Sequence, residues 1–192
     1  MKTLICDISE RNTVYSKGWD KTTSPIQCME KAFTENYALI VIQFAAQTIK
    51  QRYALIELCA VLKRNQQTHH IPIMALLPIK HRLLLENLSK VNVEYAKIIT
   101  DQADEKDIRY FDTEDSLSRH LSGLCPFLEY QAIDSSREMT VCKAYYSRLV
   151  ITGNRLKQTC HHPDFKICPY FQLPKLAKKM MTRNINEHFA PN

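Results

Sequence analysis

The run Tyr37-Ala-Leu-Ile-Val-Ile-Gln-Phe44 decides the fold. It is apolar at nearly every position and of strand length. A strand without polar alternation is one covered on both faces, the pattern of a central parallel strand. Working outward, Ile71-Pro-Ile-Met-Ala-Leu-Leu-Pro78 reads as a second buried strand bounded by prolines, Lys2 to Asp7 as a short first strand, and Tyr95 to Thr100 as a further one. Asn12 to Trp19 is the candidate for a remaining strand. Between them lie helical spacings. Ser24-Pro25 caps and starts one helix, with Ile26, Met29, Ala32 and Phe33 on its apolar side. Leu55, Leu58, Cys59 and Leu62 mark a second over Tyr53 to Arg64, and His81 to Val91 reads as a third. Strands alternating with helices predict βαβ units and an α/β fold with a parallel sheet.

The pattern changes near residues 116–124. The expected organisation is an α/β domain over 1–115, a small Cys-rich α+β module over 116–175 and a basic tail over 176–192. In the second part Met139 to Ile151 alternates loosely, Gly153-Asn154 sits where a turn belongs, and Arg155 to Thr159 is expected to return as the partner strand. So small a unit with so little apolar material needs a metal, a disulfide or a larger partner.

The chain has 192 residues, of which 45% are hydrophobic and 24% charged, enough to bury a core in one ordinary domain plus something smaller. No apolar stretch approaches the roughly 20 residues that cross a bilayer, and Met1-Lys2 leads straight into a strand-like run rather than a signal pattern. A cytoplasmic protein is expected, and there clustered cysteines favour metal or redox chemistry over structural disulfides. The three glycines are too few for a phosphate-cradling glycine-rich loop. The net charge of +6 is unevenly placed. Residues 101–115 hold seven acids, whereas from Arg137 onward ten Lys/Arg face three acids. The positive excess belongs to the cysteine-bearing part, where the basic helix candidate Lys175 to Arg183 also lies. A polyanion such as nucleic acid is one candidate partner for such a patch; a solvated face is the other reading.

The first half resembles a response-regulator receiver domain. The likeness lies in Tyr37–Gln43 (the family's third strand), Leu55-Ile-Glu-Leu-Cys-Ala-Val-Leu-Lys-Arg64 (its third helix), His70-Ile-Pro-Ile-Met-Ala-Leu-Leu77 (its fourth strand) and Lys90-Val-Asn-Val-Glu-Tyr-Ala-Lys97 (the run into its fifth). It implies a flavodoxin-like parallel sheet and a role in signal transduction, with a protein partner or a second copy docking on this domain. The family's chemistry requires an aspartate ending the third strand, an acid pair after the first and a hydroxyl after the fourth. Here Gln43 falls at the phosphoacceptor position and Leu77 near the hydroxyl position. Asp7 is left to stand for the acid pair, with Glu10 poorly placed, and Lys97 lies about one residue from the switch lysine. The segment between first and third strands is short, which implies that the first helix is missing. The resemblance is therefore to a degenerate receiver that has kept its fold and lost phosphorylation. An unrelated flavodoxin-like domain gives the same elements, and fold alone names no function.

Cys125, Cys142, Cys160 and Cys168 are separated by 16, 17 and 7 residues, and the first and last precede Pro126 and Pro169. Four thiolates is the usual ligand count for both tetrahedral zinc and an iron–sulfur cluster. The closely spaced cysteine pairs of structural zinc fingers are absent. The long spacing and Cys-Pro pairs lean towards a [4Fe–4S] cluster, with Zn2+ and four packed free thiols as the alternatives. Cys160 to Cys168 reads as a polar loop. His161 and His162 are candidates to replace a thiolate or support one, His69-His70 reads as loop, and His120 with Cys125 is a nucleophile-and-base pair without a surrounding motif. Cys6, Cys28 and Cys59 sit on apolar faces and are expected to be core. The sequence thus points to a non-enzymatic regulatory protein with no catalytic residues. A nucleic-acid-binding regulator and a thiol enzyme are the competing readings.

Overall fold

Strand β3 (Leu39–Gln43) is buried at its first four positions, and β1 (Thr3–Asp7) and β4 (Ile73–Leu77) at every position. With β2 (Trp19–Thr22) and β5 (Tyr95–Ile98) they form a five-stranded sheet in the order β2-β1-β3-β4-β5. All four pairings are parallel. This is an α/β architecture, consistent with the 2-1-3-4-5 order of flavodoxin-like sheets. The computed structural model describes residues 2–9, 18–45, 48–99, 113–144 and 149–172. It divides into two compact units, Met1–Leu121 with Ser135–Arg137, and Ser122–Asp134 with Glu138–Asn192. Among the described residues no helix is long and apolar enough to cross a membrane.

Helix α1 (Pro25–Thr34) begins as its sequence dictates: the Ser24 hydroxyl accepts the Gln27 N–H at 3.2 Å, and Pro25 occupies the first turn. Helix α2 (Ile49–Arg64) starts at Ile49 rather than Tyr53. The reason is a capping box, in which Gln51 N–H reaches the Thr48 hydroxyl at 3.2 Å and Thr48 N–H reaches the Gln51 amide oxygen at 2.9 Å. That first turn is largely polar, so apolar periodicity did not register it. Helix α3 (Arg82–Lys90) excludes His81, whose Nδ1 caps it by accepting the Leu84 N–H at 3.2 Å. The second strand begins at Trp19, where the expected segment Asn12 to Trp19 ends; residues 12–17 lie outside the described residues. Among the described residues no helix intervenes between β1 and β2. Cys6, Cys28 and Cys59 are wholly buried. The hydrogen bond it donates to Cys6 together with burial holds the Cys28 thiol protonated, and burial does the same for Cys59. These three cysteines are core.

At one end of the sheet Asp7 pairs in register with Gln43, Gln43 with Leu76, and Leu76 with Lys97. Asp7 is 0% exposed. Its Oδ1 accepts from the Ser9 N–H at 3.0 Å and hydroxyl at 2.5 Å, and its Oδ2 lies 3.3 Å from Lys21 Nζ. Lys97 pairs with Asp115 at 3.7 Å. The short helix α4 (Leu117–Ser122) follows. The acidic stretch is described only from Thr113 on, and the basic segment 175–183 lies outside the described residues.

The second unit holds an antiparallel sheet ordered β6 (Leu128–Ala132), β7 (Glu138–Cys142), β8 (Leu149–Val150). The partner of β7 in the hairpin precedes it in sequence. The expected return strand Arg155 to Thr159 is instead helical, running from α5 (Gly153–Arg155) into a π-helical turn over Leu156–Cys160. Only Leu156 is apolar in that stretch, so it has no alternating face to lay on a sheet. The segment between Cys160 and Cys168, expected as a polar loop, contains a 3-10 helix over Pro163–Ile167 that buries Phe165. Helix α6 (Pro169–Gln172) follows Cys168.

Replacing Lys21 with methionine leaves the Asp7 carboxylate buried without its cation. Because Lys21 is itself 30% exposed, the expected loss is about 2–3 kcal/mol, at or below the range for a wholly buried pair. Urea unfolding of the K21M variant checks this; an unchanged midpoint contradicts it.

Candidate metal centre

Cys125, Cys142, Cys160 and Cys168 come from four different elements and line one cavity. Cys125 stands in the loop before β6, and its N–H donates to the Cys160 carbonyl at 2.9 Å, tying the first ligand candidate to the third. Cys142 ends β7, opposite Leu128 on β6 and Leu149 on β8. Cys160 closes the π-helical turn, which is completed by the His161 N–H donating to the Leu156 carbonyl at 2.9 Å. Such turns are rare and are frequently found at functional sites. Cys168 has φ −62 and ψ 126, the extended conformation that a following proline imposes. Its carbonyl then accepts the Phe171 and Gln172 N–H groups at 2.9 and 3.0 Å, so the Cys168-Pro169 pair starts α6.

The thiols are also much of this unit's interior. Cys125, Cys142 and Cys160 are 5–6% exposed and share one apolar cluster with Leu128, Ala144, Ile151 and Phe165. Phe171 packs edge-on against Phe165 with ring centres 5.1 Å apart and against Phe127 at 5.7 Å. Arg155 also lines the cavity and stacks over the Tyr170 ring at 4.9 Å. Burial, then the neighbouring Cys125, Cys142 and Cys168, push the Cys160 thiol up to about 12. No disulfide links any of the seven cysteines. Among the described residues no group of three or more His, Cys, Asp or Glu side chains is drawn closely enough together to hold a single metal ion. The four thiols line one cavity.

His162, His120 and His69 are bonded elsewhere. His162 caps the 3-10 helix, its Nδ1 accepting the Asp164 N–H at 3.3 Å and lying 3.1 Å from the Asp164 carboxylate. Neither His161 nor His162 lines the cavity. His120 directs its Nε2 to the Ala96 carbonyl at 2.6 Å, and burial lowers its pKa. His69 bonds the Gln66 carbonyl within its own loop. Sequence reasoning singled out the four cysteines but missed Arg155, Phe165 and Phe171, which have no motif; the aromatic content of 163–171 was the available signal.

A scan against protein-family models finds no match, and a search of curated proteins finds no relative. The site's reading rests on its geometry.

Among the four cavity cysteines of metal-free protein, iodoacetamide should modify the more accessible Cys168 first and Cys160 last. At pH 8 a thiol titrating near 12 is thiolate at a fraction on the order of 10⁻⁴. A time course followed by mass spectrometry reads the order. One of the buried cysteines reacting far ahead of the rest would favour a thiol enzyme instead.

Proposed function

We propose that this protein is a non-enzymatic signalling or regulatory protein. A receiver-like, flavodoxin-like α/β unit without phosphorylation chemistry is joined to a small Cys-rich unit organised by a four-thiolate metal or iron–sulfur centre. The centre senses redox state or metal supply, or holds its unit together. The receiver-like unit supplies the surface for a protein partner or a second copy. The observation that carries the reading is that four cysteines spread over 44 positions of sequence line one cavity, and three of them are buried in its unit's core. A unit so poor in other buried groups gains its stability when metal binding and folding coincide.

The loss of phosphorylation is supported at the C-terminal ends of the parallel strands. An amide, Gln43, stands level with Asp7, and an amide cannot form an acyl phosphate. The carboxylate that would help hold magnesium is instead neutralised from within the chain by Lys21. A fixed ammonium there disfavours a second cation by like-charge repulsion.

Two outcomes are expected. Changing Cys125, Cys142 or Cys160 to serine lowers the metal content of anaerobically purified protein at least about tenfold, while the far-UV signal of the α/β unit persists. Acetyl phosphate with magnesium leaves the protein unlabelled by mass spectrometry. Metal-free wild-type protein sinks the first half of the reading, and an acyl phosphate on Asp7 sinks the second.

A further inference from the structure

Cys125 and Cys160 are joined through their backbones as well as through the cavity they share. The Cys125 N–H donates to the Cys160 carbonyl at 2.9 Å. One α-carbon adjoins that bond through the amide nitrogen, the other through the carbonyl carbon. Even fully straightened, the path between the two α-carbons spans only about 6.8 Å, and the bend at the amide shortens it. Disulfide-bonded cysteines hold their α-carbons about 4.4–6.8 Å apart. Among the described residues no other two of the four cysteines share a backbone hydrogen bond.

The side chains meet the second requirement. Both residues line one cavity of about 10 Å³, room for a single water-sized sphere, so they face a common small space. Cys125 is also the neighbour that raises the Cys160 thiol most, ahead of Cys142 and Cys168. Like-charge repulsion in that order fits a short separation between the two sulfurs. Both thiols are free.

We propose that Cys125 and Cys160 close into a reversible disulfide under oxidation, making this pair the redox switch of the cysteine-rich unit. The consequence for metal rests on the four-thiolate reading above; the new element is which two sulfurs react. The oxidant is a hydroperoxide, of which hydrogen peroxide is the simplest. One sulfur attacks a peroxide oxygen, the S–O bond forms as the O–O bond breaks, and water leaves with the thiol proton. The other sulfur then displaces the hydroxyl of that sulfenic acid, which departs with the second proton as another water. Two thiols and one hydrogen peroxide give one disulfide and two waters. Exchange with a dithiol reverses the change. A sulfur bonded to sulfur has given up the thiolate that binds metal. Closing the pair therefore withdraws two of the four donors from the proposed centre and releases what they hold.

Trypsin cuts after Arg119, Arg137, Lys143, Lys157 and Lys166, which puts each of the four cysteines on its own peptide. Full-length wild-type protein, its metal counted, is treated with hydrogen peroxide both as purified and after a chelator. Remaining thiols are blocked with N-ethylmaleimide before digestion, and linked peptides are read by mass spectrometry. The expected product joins the Cys125 and Cys160 peptides, disappears with dithiothreitol, and forms in step with the release of any metal. A main product that links Cys168 or Cys142 overturns the switch. So does oxidised Cys168 in a chain whose Cys125 and Cys160 are both still alkylated. A wrong pairing in protein that holds metal leaves the four-thiolate centre standing. The expected pairing in protein that purifies without metal removes the centre and keeps the switch. C168S is the second measurement: it should still form the link, since that sulfur takes no part in it. Loss of the link there shows that Cys168 carries the oxidation, and overturns Cys125 and Cys160 as a self-contained pair.

Discussion

Cover on both faces of β1, β3 and β4 is the constraint on which the parallel unit depends. It forces these strands to be apolar along their length and drives polar groups to the strand ends, where Asp7 and Gln43 appear side by side. A carboxylate in that position cannot stay charged and alone. The chain meets the demand locally, with Ser9 two residues on, and across the sheet, with Lys21 on the neighbouring strand. The chemistry of that edge is thus a consequence of how deeply its strands are buried.

Most of this unit was legible because burial writes itself into strands plainly. Tyr37–Phe44 and Ile71–Pro78 announce themselves by hydrophobicity alone. Boundaries set by side-chain hydrogen bonds were harder. The Thr48–Gln51 capping box lengthens α2 by a polar turn, and His81 ends up as a cap where periodicity counted it into the helix. The ion pair of Asp7 with Lys21 could not be read at all, because it requires knowing that β1 and β2 are neighbours in the sheet.

The second unit inverts this. Its cysteines were conspicuous in the sequence, while its architecture was not. Arg155–Thr159 passed for a strand by following a Gly-Asn pair, yet it is helical, and the stretch before Cys168 conceals a 3-10 turn under polar residues. Short elements carry too few positions for a period to show. In such a unit local preference alone fixes little of the order of parts.

The hydrogen bond from Cys125 N–H to the Cys160 carbonyl spans 34 intervening residues. It closes a long loop, and closing a loop costs only logarithmically more as it lengthens. The two ends are brought within reach of each other by the backbone itself, before any sulfur bonds to anything. In the proposed centre, part of the entropy of gathering four distant ligands would be met by the polypeptide. The affinity of such a centre would then depend on how fully the unit is folded at the moment of capture. A disturbance anywhere along that loop, however far from the sulfurs, would weaken the grip of the proposed centre.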